Sequence, residues 1–111
     1  AAGELVSQKG YVSPVDLFLA LGRLTLKDHE NWRFGRVPSL EKVIQGNLSV
    51  CNRILGFLRE FGQEAQLKPS QTVYRRWGRG PKTTLVFSRF KNPALEKIYS
   101  THWVKKNSTT G

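Results

Sequence analysis

Leu48, Cys51, Ile54, Leu55, Leu58, Phe61 and Ala65 recur at spacings of three and four, and Ser49, Asn52, Arg53, Arg59, Glu60 and Gln63 fall between them. That period puts the apolar set on one side of an α-helix and the polar set on the other. Asn47 stands where a side-chain oxygen caps the first free amides. Such a helix is stable in water only when other elements cover its stripe, so the chain is expected to fold around residues 48–65. A length of 111 residues allows one core. The domain is read as residues 1–104, with 105–111 as a polar tail. Gly56 and Gly62 each weaken the helix by about 1 kcal/mol relative to alanine, which points to close approach by another element. Lys68-Pro69 ends the run.

Upstream, Gly10 closes a short first segment, and Ser13-Pro14-Val15-Asp16 combines a capping serine, a proline at the first helical position and an early acid. The helix it opens should stop at Leu21-Gly22. Thr25-Leu26-Lys27-Asp28 repeats the signal for a second helix ending near Gly35. A short third helix is expected after Ser39, with Leu40, Val43 and Ile44 as its buried edge. The pair around Gly22 has a helix-turn-helix spacing, but its second helix would present Asp28 and Glu30 to DNA, so residues 13–35 are read as scaffold.

After Ser70 the pattern changes. Gln71–Trp77 and Lys82–Ser88 are rich in β-branched and aromatic residues and flank Gly78-Arg79-Gly80-Pro81, which predicts a β-hairpin. Alternation then places Val73, Arg75 and Trp77 on one side and Thr72, Tyr74 and Arg76 on the other. In the rival reading Ser70 caps a helix to Trp77. That run is similar to the recognition helix of helix-turn-helix proteins, where Thr-Val-Tyr-Arg is frequent; Leu67 and Gln66 stand where the turn glycine and its apolar neighbour belong. Asn92-Pro93 opens a last helix, expected to reach Val104, on which Leu95, Ile98, Tyr99 and His102 share a face. The fold class is α+β: four to five helices with one C-terminal β-hairpin, resembling a winged helix.

Charge supplies the functional expectation. The net charge is +10, yet residues 1–67 hold eight bases against seven acids, whereas residues 68–111 hold ten bases and one acid, Glu96. Self-repulsion makes so uneven a distribution costly without a polyanionic partner. Residues 68–91 carry seven bases, no acid, and interleaved Tyr74, Trp77, Phe87 and Phe90. Cations neutralise phosphates and flat rings stack on bases, so DNA or RNA is the expected partner. Arg75, Arg76, Arg79, Lys82, Arg89 and Lys91 are the expected phosphate contacts. Tyr74 and Trp77 are available to stack or brace, and Trp77 is expected to pack inward. A protein-interaction module docking an acidic surface is the alternative partner class.

Enzymatic chemistry lacks its usual parts. Cys51 is a single cysteine on an apolar stripe, and two histidines are too few for structural zinc. Asp28 and Glu30 diverge on a helix, and the glycine-rich run lacks the length and following residues of a nucleotide loop. No cofactor is expected. A metal-free ribonuclease using Tyr74, Arg76 and His102 is the remaining catalytic possibility. The absence of a long apolar run, a leader-like start or paired cysteines reads as a cytoplasmic protein with no membrane partner.

Overall fold

The computed structural model describes residues 2–106. Helix α1 (Ala2–Lys9) ends at Gly10, whose φ of 83° turns the chain into strand β1 (Tyr11–Val12). Ser13 Oγ accepts the amide of Asp16 at 3.1 Å and Pro14 takes the first position of α2 (Pro14–Ala20). Thr25 Oγ1 accepts the amide of Asp28 at 3.0 Å and opens α3 (Leu26–Arg33). After Ser39 there is a single 3-10 turn, Leu40–Lys42, shorter than the expected helix. Asn47 Oδ1 takes the amide of Val50 at 2.9 Å and starts α4 (Leu48–Glu64). The remaining elements are β2 (Lys68–Gln71), α5 (Pro93–Tyr99) and β3 (Thr101–Val104).

Helix α4 divides the interior. Cys51 and Leu55 join Phe18, Trp32, Leu40, Phe87 and Tyr99 in one apolar cluster, while Leu58 joins Val12, Leu17 and Leu67 in a second. Ile54 packs against both. Leu48, at the first turn, stays 50% exposed, so the buried stripe begins at Cys51. Of the two helix glycines only Gly62 marks a close approach. A methyl group there would fall 2.4 Å from Trp103 ring atoms, whereas nothing lies within 4 Å of one at Gly56.

Three short strands form an antiparallel sheet in the order β1-β3-β2, with Tyr11 and Lys68 both opposite Val104 and Gln71 opposite Thr101. Two expectations are corrected here. The last helix stops at Tyr99, because Ser100 and Thr101 donate their hydroxyls to the carbonyls of Glu96 and Lys97 at 2.8 Å each. Thr101, Trp103 and Val104 then suit an extended strand, and His102 sits on β3 instead of a helical face. The ladder that forms is not the expected pairing of Gln71–Trp77 with Lys82–Ser88 but that of Lys68–Gln71 with β3.

The expected hairpin survives only in outline. Its arms meet in one bridge, Arg75 with Thr84, and through amides of Arg76 and Leu85 donating to the carbonyls of Thr83 (2.9 Å) and Tyr74 (2.8 Å). No ladder forms because the arms use their backbone elsewhere. The Val86 carbonyl accepts Leu40 N at 3.1 Å and Trp32 Nε1 at 2.8 Å, the Phe87 carbonyl accepts Glu41 N at 2.9 Å, and Thr72 N donates to Ser100 O at 3.0 Å. Residues 72–77 are extended, not a recognition helix: Thr72, Tyr74 and Arg76 are half-buried while Val73, Arg75 and Trp77 are exposed. Among the described residues the fold is thus α+β, with five helices and a three-stranded sheet that draws one strand from near the start of the chain. Residues 107–111 of the expected tail lie outside the described residues.

Candidate nucleic-acid interface

Arg75, Arg76, Arg79 and Lys82 lie around the Gly78–Gly80 tip, where both glycines have positive φ (94° and 97°). Three of the four cations close their own loop. Arg76 Nη1 donates to Arg79 O at 2.7 Å, Arg75 Nη1 to Lys82 O at 3.3 Å, and Lys82 Nζ to Gly78 O. Arg76 is half-buried along Gly35, where a Cβ would meet its side chain at 3.2 Å. These side chains therefore shape the tip as well as charge it. Only Arg79 makes no such bond among the described residues.

Arg89 and Lys91 occupy a separate turn held by two carboxylates. Glu96 accepts the amides of Phe87 and Ser88 and the Ser88 hydroxyl, the last two at 2.6 and 2.7 Å. Glu41, 5% exposed, accepts Arg89 N at 2.9 Å and the Tyr99 hydroxyl at 2.8 Å. Burial, followed by the Glu41 carboxylate, holds the Tyr99 phenol far above its ordinary pKa, so it remains a donor. This anchorage presents Phe90, 87% exposed, between two exposed cations, with Lys91 at a φ of 52°. Among the described residues, none of the seven bases from 68 to 91 reaches a carboxylate; the one ion pair joins Lys9 to Asp16 at 3.1 Å.

Tyr74 and Trp77 lie on the wall of a cleft formed with β1, α2, α3 and β3. Trp77 is 39% exposed and not the core residue expected; Trp32 fills that place at 0%. What holds Trp77 is α3. Its amide donates to Arg33 O at 2.7 Å, its ring meets His29 and Phe34 edge-on at 5.8 and 5.7 Å, and the Arg33 guanidinium lies 4.4 Å from its centroid. Tyr74 faces the same guanidinium at 5.0 Å. Burial pushes the Tyr74 phenol up to about 12, so it keeps its proton, and its hydroxyl is hydrogen-bonded to His102 Nε2 at 2.7 Å. His102 also stacks on Tyr11, with centroids 5.1 Å apart and planes 2° from parallel.

Burial is the leading cause of the lowered pKa of both His29 and His102; the Arg33 charge adds to it at His29, while Asp16 opposes it at both. Burial also lowers Arg33, which remains charged at neutral pH. The cleft measures about 300 Å³ and brings together Tyr11, Asp16, His29, Arg33, Tyr74, Trp77 and His102. Sequence reasoning missed Tyr11, Asp16, His29 and Arg33 as a group. His29 and Arg33 are one helical turn apart, a spacing visible beforehand. Tyr11 and His102 meet only through the diagonal of the β1–β3 register, which no local pattern encodes. Arg76, grouped with Tyr74 and His102 as a catalytic possibility, does not line this cleft. Among the described residues no three His, Cys, Asp or Glu side chains gather as a metal site, and no helix is long and apolar enough to cross a membrane. No family model matches the chain, and neither a curated protein nor a solved structure is found to resemble it.

Proposed function

We propose that the protein binds nucleic acid without catalysing a reaction, using the 72–91 excursion as a wing-like positive surface. One observation carries this reading: Glu41 and Glu96, the acids bonded to the basic segment, are turned onto its backbone amides and onto hydroxyls, and neither forms an ion pair with its cations among the described residues. A surface left uncompensated in this way attracts phosphate through counterion release. Arg75, Arg79, Lys82, Arg89 and Lys91 are the contacts we assign to phosphates, with Arg76 bracing the tip. Phe90 stands exposed between two of these cations, Arg89 and Lys91.

If about four to six phosphates are engaged, the logarithm of affinity for duplex DNA should fall against the logarithm of salt with a slope of roughly −3 to −5. A slope near zero together with tight binding of polyglutamate would transfer the basic face to an acidic protein partner. The Tyr74–His102 hydrogen bond of 2.7 Å favours one other reading, metal-free cleavage of RNA. Cleavage of labelled RNA in excess EDTA, lost in a folded His102→Ala variant, would replace binding with catalysis.

A further inference from the structure

We propose that the cleft between α3 and residues 72–77 receives one unstacked base of a single-stranded nucleic acid. The inference rests on the nucleic-acid reading and adds a second contact to it, chemically unlike the positive face. The cleft's walls are flat: Tyr11 and His102 form a parallel stack, and Trp77 stands at the rim with its ring partly exposed. Every base has a π-face, so such walls accept a base whatever its identity.

Its polar groups match a base edge as well. Each histidine is held toward the neutral form, and a neutral imidazole has one donor and one acceptor nitrogen. At His102, Nε2 is engaged by Tyr74, which leaves Nδ1 to pair with a base edge. Arg33 contributes positive charge, and its Nε is buried without a hydrogen-bond partner. The volume, about 300 Å³, lies at the small end of the roughly 300–1,000 Å³ range of ligand pockets, which suits one base and not a stacked duplex. Bases inside a duplex cannot enter a cleft without being unstacked, so single strands are the substrate class.

The test compares a short mixed-sequence single strand, its duplex and the four nucleoside 5′-monophosphates. Binding is read by fluorescence anisotropy for the polymers and by heteronuclear NMR for the nucleotides. The expected result is that nucleotides shift the Arg33 Nε, Trp77 indole and histidine resonances, and that His29→Gln lowers single-strand affinity about tenfold while leaving duplex affinity unchanged. Arg79→Ala should lower both. If His29→Gln fails to fold, the nucleotide titration of the wild-type chain decides alone. Polymers that bind with the expected salt slope, without shifts in the cleft, overturn the pocket and leave the positive face standing. Nucleotides that shift the cleft while neither polymer binds keep the pocket and overturn the face. Absence of both kinds of binding overturns both.

Discussion

Helix α4 and the segment from residue 72 to 91 are both ordered, but by different means. Along α4 the backbone satisfies itself, Asn47 caps one end, and three side chains facing one way enter the core. Between 72 and 91 two arms share one bridge, and order comes from outside: the Trp32 indole, the 3-10 turn and the carboxylates of Glu41 and Glu96. The contrast teaches that a charged surface can be kept rigid without a ladder when buried acceptors collect its amides. Coulomb repulsion among its cations is then opposed by hydrogen bonds to ions, which are stronger than neutral ones.

The strongest way to break this comparison is at Trp32, which joins the helical core to residue 86. Trp32→Ala should cost about 3–5 kcal/mol in urea unfolding. A loss under about 1 kcal/mol would mean that the excursion does not hang from α3. Next is Glu41→Ala, which strips acceptors from the Arg89 amide and the Tyr99 hydroxyl at about 1–3 kcal/mol for each buried group left unpaired. Hydrogen exchange should then quicken at residues 88–91 while α4 stays protected; uniform quickening would show one cooperative unit instead of two kinds of order.

Two glycines of one helix make a finer test. Gly62→Ala should destabilise by about 1–3 kcal/mol, because the new methyl group meets the Trp103 ring. Gly56→Ala meets nothing and should stabilise by roughly 0.5–1 kcal/mol. Equal effects of either sign would deny the packing of β3 on α4. The smallest effect belongs to the cleft. Both histidines have folded pKa values below the unfolded 6.5, so the unfolded chain binds protons first. Their contribution is complete above about pH 6.5 and is lost as pH falls through the folded values. Comparing unfolding at neutral and mildly acidic pH, His102→Gln should flatten that decline, and an unchanged profile would show that His102 is not desolvated.

What was legible in the sequence follows the same division. The caps at Ser13, Thr25, Asn47 and Asn92 each act on a residue two or three places away, so local chemistry announced those helix starts. The alternation from Thr72 to Trp77 was legible too, since burial follows a strand's period even without a ladder. The end of α5 was not, because Leu95, Ile98, Tyr99 and His102 keep a helical spacing across a boundary set by two hydroxyls. Trp77 was misplaced for a related reason. Trp32 is the fully buried tryptophan, and its indole donates to the carbonyl of Val86, 54 residues away, a contact no local pattern encodes. In the site, the charged residues were legible from composition, while the cleft needed the register of β1 on β3.

That register has a consequence for how the chain is made. The centre of the sheet is its last strand: Tyr11 waits for Val104, and so does Lys68. During synthesis both outer strands leave the ribosome before the strand that will join them exists, so their edges stay open to other chains until β3 emerges. Contacts this distant in sequence also form slowly. A nascent chain halted just before Thr101 would hold nearly every helix and no sheet, and its cleft would lack the wall that carries His102.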